Sequence, residues 1–257
     1  MISNSNLMLA VAPTEMMAAQ AHGLTLAHMA YRVGGGPHLF RANLPVPAHG
    51  GLMVIDDTGF DGRGDPEPFC QEVVRECSAR GYTGVVCDFE RPLNLLGRIV
   101  SGLAPLLDRQ GWPLYVSEQY ARWSDTAKAL IPTALSGGSL HQRLTDALEL
   151  YGPGRVALAV ERSAEDFFLP SPTGQGIPLS REELARRIED LSPSIFFSSE
   201  LCAHYFTYMN KQNGAHFILF DDAASIRKKL YVARSLDISD VLLPYPDVAD
   251  ILDGILA

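Results

Sequence analysis

Two carboxylates spaced two residues apart, Asp88 and Glu90, are the side chains of this sequence best placed to do chemistry. They follow a short apolar run, residues 84–87, that predicts a buried strand. Residues i and i+2 of a strand point to one face, so the two carboxylates would lie roughly 6–7 Å apart along the backbone. One of such a pair tends to have a raised pKa, as a general acid requires. Alternatively, both are solvated loop residues.

Four further acids end apolar runs in the same way: Asp56, Asp57, Glu118 and Glu161. Where parallel strands close into a barrel, their carboxyl ends form the active-site face. A mouth ringed by acids suits a sugar or a cation, although solvated strand-end acids are an equal alternative. No histidine neighbours Asp56 and Asp57, so no metal site is expected there.

The elements that must position these acids are short apolar strands alternating with helices, which predict a parallel sheet buried on both faces. About eight strands can be counted, so we expect an α/β fold, a single (β/α)8 TIM barrel domain over residues 1–257. The turn signal Asn213-Gly214 predicts a β-hairpin inserted at about residues 200–221, after the seventh strand. Helices are expected at residues 66–80, 94–110, 140–151, 180–191 and 222–235.

Composition limits the function classes. The 257 residues are 47% hydrophobic and 20% charged, with a net charge of −9, which disfavours nucleic acid and anionic membranes as partners. No G-x-G-x-x-G or G-x-x-x-x-G-K-[ST] motif follows a strand, so no cofactor is expected. The four cysteines form no C-x-x-C pair and are expected to be reduced core thiols. Residues 7–13 are too short an apolar run for a signal peptide, which predicts a cytoplasmic protein.

Two segments resemble glycoside hydrolase family 18. Residues 84–92, G-V-V-C-D-F-E-R-P, resemble its fourth-strand signature, D-G-x-D-x-D-x-E-x-P. The hairpin at residues 205–220 and the following residues 221–230, D-D-A-A-S-I-R-K-K-L, resemble its segment F-x-Y … W-F-E-D-A-x-S-I-x-x-K. The latter version is typical of the spore cortex-lytic, N-acetylglucosaminidase-like branch. The resemblance spans roughly residues 80 to 257.

The resemblance implies roles for the acid pair. Glu90 would be the general acid that protonates the glycosidic oxygen. Asp88 would orient the substrate's 2-acetamido group, which attacks the anomeric carbon in place of an enzymic nucleophile. The residues expected to bind substrate are Glu118, Tyr120, Thr133, Glu161, Tyr245 and Asp56.

The sequence also departs from the family pattern. Thr83 and Val86 stand where the signature has its first two aspartates. The sixth strand lacks the family tyrosine that holds the acetamido oxygen, and Thr133 or Tyr120 is expected to supply the hydroxyl. Tyr245 takes the place of the tryptophan that forms the floor of the sugar subsite. Losing one hydrogen bond to the transition state lowers the rate by roughly 10²–10³-fold.

Two functions follow from these observations. The first is a retaining glycosidase acting on an N-acetylglucosamine-containing glycan, either peptidoglycan or a chitin-type oligomer. The second is a catalytically impaired relative that binds carbohydrate or another partner, which the missing tyrosine and tryptophan favour. An unrelated acid-rich barrel enzyme is a further alternative. The oligomeric state is left open, and a spore-associated location is an alternative to the cytoplasm.

Overall fold

The computed structural model describes residues 6–42, 49–171, 174–210 and 214–257. Its strands are β1 (Asn6–Val11), β2 (Thr25–Gly34), β3 (His38–Arg41), β4 (Leu52–Asp56), β5 (Val85–Asp88), β6 (Leu114–Ser117), β7 (Lys128–Pro132), β8 (Val156–Ala159), β9 (Ala164–Leu169), β10 (Ile177–Pro178), β11 (Phe196–Ser198), β12 (Ala203–Asn210), β13 (Gly214–Phe220) and β14 (Asp240–Pro244). Its helices are α1 (Met16–Gln20), α2 (Pro66–Arg80), α3 (Asn94–Asp108), α4 (Leu140–Tyr151), α5 (Arg181–Leu191), α6 (Ala223–Ser235), α7 (Tyr245–Val248) and α8 (Leu252–Leu256), with a 3-10 helix at Glu118–Trp123.

Eight of the strands form a closed parallel barrel. They pair in the order β1–β2–β4–β5–β6–β7–β8–β14, and β14 returns to pair with β1. Strand β3 adds to the outside of this sheet by pairing antiparallel with β2. The (β/α)8 TIM barrel predicted from the sequence is therefore confirmed.

Alternating side chains of the barrel strands separate two apolar layers. The inner layer fills the barrel with Met8, Ala10, Ala27, Leu52, Val54, Val86, Tyr115, Leu130 and Ala157. The outer layer packs the strands against the helices and includes Cys87 and Phe89. Val86 therefore points into the barrel while Cys87 and Phe89 point outward, so Asp88 follows Val86 at the inner face of β5.

The helices begin and end at residues that the backbone geometry favours. In α2, the Asp65 side chain accepts a hydrogen bond from Glu67 N–H at 3.1 Å, and Pro66 occupies the first turn. The helix ends at Gly81, whose φ of 67° is readily adopted by glycine. Helices α2 and α4 have the bounds that the sequence predicts.

The insertion after the seventh barrel strand is larger than a hairpin. Strands β12 and β13 form the predicted hairpin, although turn residues 211–213 lie outside the described residues. They belong to a five-stranded antiparallel sheet in the order β10–β9–β13–β12–β11. Helix α5 packs on one face of this sheet, and a capping box of Ser180 and Glu183 begins the helix.

A buried ion pair joins the insertion to α6. Lys229 donates a hydrogen bond to Asp221 at 2.7 Å, and both side chains are 1% exposed or less. The Asp221 carboxylate also accepts hydrogen bonds from the Ser163 hydroxyl at 2.9 Å and the Ser225 hydroxyl at 2.7 Å. Asp221, Ser225 and Lys229 belong to residues 221–230, so part of this segment that resembles the family has a structural role.

The four cysteines are buried and form no disulfide. Burial raises the pKa of the Cys70 and Cys77 thiols to about 12, which keeps both protonated at neutral pH. Across the described parts of the chain, no helix combines the length and the apolar character needed to cross a membrane.

Candidate active site

A cavity of about 480 Å³ opens at the carboxyl ends of the barrel strands, and every one of the eight barrel strands contributes to its lining. Its floor is apolar and includes Val86, Leu130 and Leu242. Four of the eight site residues predicted from the sequence line the cavity: Asp88, Glu90, Glu118 and Glu161. Of the lining residues that the structure describes, none is a lysine, arginine or histidine. Such a mixture of apolar surface and carboxylates suits a sugar ring.

Asp88 is the last residue of β5 and lies beside Asp56 of β4 in the register of the two strands. The residue keeps solvent-accessible surface, but the cavity wall desolvates its carboxyl. This burial raises the pKa of Asp88, and the neighbouring charges of Glu90, Asp56 and Asp57 raise it further. The raised pKa thus falls on Asp88, the member of the pair that the resemblance assigns to orienting the acetamido group.

The raised pKa of Asp88 predicts a pH-dependent change in stability. At low pH, Asp88 is protonated in both the folded and the unfolded chain. As the pH rises through the ordinary value of 3.8, the unfolded state loses this proton first, so the free energy of unfolding falls. We expect Asp88→Asn to raise the Tm at pH 7 by about 1–3 °C, with no difference near pH 3.

Thermal unfolding followed by circular dichroism across pH 3–8 measures this difference. Asp125→Asn, which removes an exposed acid outside the cavity lining, serves as the control and should follow the wild type at every pH. A lower Tm for Asp88→Asn than for the wild type at pH 7 would show that the ionised Asp88 carboxylate does not destabilise the folded protein.

Glu90 lies two residues beyond Asp88, in the loop after β5, and loop contacts fix its backbone. Its N–H donates to the Asp57 carboxylate at 3.0 Å, and its carbonyl accepts from the Gln119 amide at 2.9 Å. Neither Asp57 nor Gln119 is among the predicted site residues. The sequence does contain a signal for Asp57. Adjacent residues at a strand end point to opposite sides, so Asp56 and Asp57 cannot both face the same way and one of them is free to bind a neighbouring loop.

Glu118 and Glu161 differ in their surroundings. Glu118 forms an ion pair with Arg143 of α4, which offsets its charge. The backbone N–H of Glu161 donates to the Thr133 hydroxyl at 3.1 Å, which fixes the residue at the end of the seventh strand. Burial raises the pKa of Glu161, and the charge of Lys229 opposes that shift. Glu161 is therefore the second cavity carboxyl with a raised pKa.

The two hydroxyls expected to replace the missing family tyrosine lie off the cavity lining. Tyr120 is 3% exposed, and its hydroxyl donates to the Arg91 carbonyl and accepts from Leu93 N–H at 3.0 Å. Thr133 is fully buried with its hydroxyl bound to the backbone of Glu161. Both hydroxyls shape the loops that carry the acids, and the structure does not bring either of them to the cavity. Among the described residues that line the cavity, Ser117 is the one whose side chain carries a hydroxyl.

The structure also places Tyr245 and Asp56 away from the cavity lining. Tyr245 begins α7, is 7% exposed and packs against the His22 ring, so it presents no open face to a sugar. Pro244, the residue before it, lines the cavity instead. Asp56 accepts a hydrogen bond from Thr58 N–H at 2.8 Å within its own turn and acts on the site through its charge beside Asp88.

Searches with the sequence find no match, either among protein-family models or among curated proteins. The fold, in contrast, matches many solved structures. The spore cortex-lytic enzyme SleL of Bacillus megaterium has a TM-score of 0.67 at 16% identity, over 98% of this chain and 74% of that chain. A chitinase of Chromobacterium violaceum has a TM-score of 0.67 at 13% identity, over 98% of this chain and 99% of that chain.

A further match names the family directly. The glycoside hydrolase family 18 N-acetylglucosaminidase of Paenibacillus barengoltzii has a TM-score of 0.66 at 13% identity, covering 98% of this chain and 99% of that chain. At such low identity, the likeness establishes the fold rather than the activity. The barrel of this chain is therefore similar in fold to that of a family 18 enzyme, which agrees with the resemblance of residues 84–92 and 221–230.

Proposed function

We propose that the protein is a retaining glycosidase that acts on an N-acetylglucosamine-containing glycan, of the peptidoglycan or chitin type. The observation that carries the proposal is the joint presence of Asp88 and Glu90 in one cavity at the carboxyl end of the fourth barrel strand. The solved structures that share the fold support the substrate class, because they include chitinases, an N-acetylglucosaminidase and spore cortex-lytic enzymes.

The proposed reaction needs one proton donor and one orienting carboxyl. Glu90 donates a proton to the glycosidic oxygen while the acetamido oxygen of the substrate forms a bond to the anomeric carbon, and the leaving sugar departs with that proton. Asp88 holds the acetamido group in line for this attack. Water then opens the cyclic intermediate and gives a proton back to Glu90, so that the configuration at the anomeric carbon is retained.

A second candidate function is carbohydrate binding without turnover. It is favoured by the positions of Tyr120, Thr133 and Tyr245, none of which lines the cavity. The acetamido oxygen would then lack the hydroxyl that the family tyrosine supplies. The absence of one such donor slows a reaction by roughly 10²–10³-fold, and Val86 leaves an apolar surface where the family has a further acid.

Proton NMR of a chitin-type N-acetylglucosamine oligomer incubated with the protein tests the proposal. The first product should appear as the β-anomer, because two inversions at the anomeric carbon restore its configuration. The α-anomer as the first product would rule out the proposed mechanism. Binding of the oligomer by calorimetry without turnover would establish the second candidate, and the absence of both binding and turnover would exclude both functions.

A further inference from the structure

Glu90 depends on side chains from neighbouring loops for its position. Strand β5 ends at Asp88, so Glu90 lies beyond the ladder of the barrel sheet. The next helix, α3, begins at Asn94. The residues between these elements would sample several backbone conformations if nothing else held them.

One set of contacts comes from the loop after β4. The Asp57 side chain is 5% exposed, and its carboxylate accepts hydrogen bonds from Glu90 N–H at 3.0 Å, Arg91 N–H at 3.3 Å and Arg91 Nε at 3.0 Å. The Arg91 guanidinium reaches back across the same loop and donates to the Phe60 carbonyl at 2.6 Å. A buried carboxylate is thus surrounded by three donors that belong to Glu90 and its neighbour.

The second set comes from the opposite side, from the 3-10 helix after β6. Gln119 Nε2 donates to the carbonyl oxygens of Phe89 and Glu90, both at 2.9 Å. The Tyr120 hydroxyl holds the backbone of Arg91 and Leu93 in the same way. The loop that carries Glu90 is therefore fixed on one side by the loop after the third barrel strand and on the other by the 3-10 helix after the fifth.

We infer that Asp57 is a positioning residue for the proposed general acid, holding the Glu90 backbone so that its carboxyl faces the cavity. The catalytic role of Glu90 in this inference rests on the proposed function, whereas the contacts between Asp57 and the Glu90 loop are independent of it. Hydrogen bonds to a charged acceptor are roughly twice as strong as neutral ones, and a carboxylate can accept all three donors at once. An asparagine has one acceptor oxygen and adds two donors, so it cannot replace Asp57 in this arrangement.

Amide hydrogen exchange in Asp57→Asn tests the inference without requiring any activity. The Glu90 and Arg91 amides should exchange about 10–100-fold faster than in the wild type, since a hydrogen bond to a charged group contributes about 1.5–3 kcal/mol. Amides of β6 and β8 should be unchanged. Asp61→Asn is the matched control, because Asp61 lies in the same loop but accepts its hydrogen bond from Arg63 N–H in its own turn, at 3.0 Å, and not from Glu90 or Arg91.

The same variants separate positioning from simple loss of stability when turnover is measured. Asp57→Asn should lower kcat about 100-fold with little change in KM, because a displacement of about 1 Å at a reacting group has that effect. The pH profile should also shift, because the Asp57 charge contributes to the raised pKa of Asp88. Asp61→Asn should match the wild type in kcat, KM and pH profile.

Exchange at Glu90 and Arg91 that is equal in Asp57→Asn, Asp61→Asn and the wild type would overturn the inference. If Asp57→Asn does not fold, amide exchange in the wild type keeps the inference testable: the Glu90 and Arg91 amides should exchange about 10–100-fold more slowly than those of an unstructured chain, and unprotected amides at both positions would overturn it. If the wild type shows no turnover on any N-acetylglucosamine oligomer, the proposed function fails, while the exchange result still decides whether Asp57 fixes Glu90.

Discussion

Replacing Glu90 by glutamine is expected to lower kcat on an N-acetylglucosamine oligomer by about 10²–10⁴-fold. The amide has nearly the same size as the carboxyl but carries no acidic proton for the glycosidic oxygen. Glu90 is exposed within the cavity, so the substitution should leave the Tm unchanged within about 1 °C. Initial rates by reducing-end detection, together with thermal unfolding, measure both quantities.

The leaving group offers a sharper version of this test. The leaving group of an activated aryl N-acetylglucosaminide is a phenolate, which departs with little need for protonation. Glu90→Gln should therefore lose much less activity on this substrate than on the natural linkage. Glu149→Gln makes the same chemical change on an exposed face of α4 and should behave as the wild type. Equal rates for Glu90→Gln and the wild type on the oligomer would remove Glu90 from the mechanism.

Replacing Lys229 by methionine is expected to destabilise the protein by about 3–5 kcal/mol, which for a chain of this size lowers the Tm by roughly 10 °C or more. The substitution keeps the apolar length of the side chain but leaves the Asp221 carboxylate buried without its cation. The serine hydroxyls and the Ser163 N–H that bind Asp221 remain, and they offset only part of the lost interaction. Urea unfolding followed by circular dichroism measures the free energy of unfolding.

The neighbouring lysine supplies the control. Lys228 is half-buried and lies over the Tyr231 ring at 4.9 Å, so Lys228→Met should lower the free energy of unfolding by about 1 kcal/mol or less. The double variant Asp221→Asn with Lys229→Met should be more stable than Lys229→Met alone, because it buries no unpaired charge. Similar losses in Lys228→Met and Lys229→Met would mean that the buried pair makes no special contribution.

Local patterns were sufficient to predict the barrel and the orientation of its acids. The alternation of Val86 and Asp88 with Cys87 and Phe89 requires only the two-residue period of a strand, and the structure shows it directly. The placement of Glu118 and Glu161 at the mouth follows from the same rule, since both come just after strands whose carboxyl ends meet at one face.

The positions of Tyr120, the expected hydroxyl donor, and Tyr245, the expected sugar-stacking residue, could not be predicted because they depend on turns between the elements. Tyr120 lies on a 3-10 helix that directs its ring to Phe89 and its hydroxyl to the loop backbone, away from the cavity lining. Tyr245 begins a short helix directly after β14, which takes it away from the strand direction. A residue's place beyond a strand end depends on the turn that follows, and strand periodicity carries no information about that turn.

The size of the insertion is hidden in the sequence for a similar reason. Strand β9 pairs with β13, and in that pairing Asp166 lies opposite Ile218. Its carboxylate also binds His216 at 2.9 Å and Arg187 of α5. The partners of Asp166 in these contacts lie 21 to 52 positions away along the chain, from Arg187 to Ile218. The predicted hairpin, in contrast, could be recognised from its turn residues alone. Long-range pairing of this kind leaves no local pattern to read.

The buried pair of Asp221 and Lys229 has a consequence for how such barrels diverge. Replacing either partner alone leaves an unpaired charge in the core, which destabilises the fold. Substitutions at Asp221, at Lys229 and at the serines that bind Asp221 are therefore expected to occur together. Three of the cavity acids, Asp88, Glu90 and Glu161, are exposed, so each can be replaced singly without leaving an unpaired charge in the core. Sequences that share this buried network are therefore expected to keep Asp221, Ser225 and Lys229 even where the cavity acids differ, so these three residues report a shared core and not a shared activity.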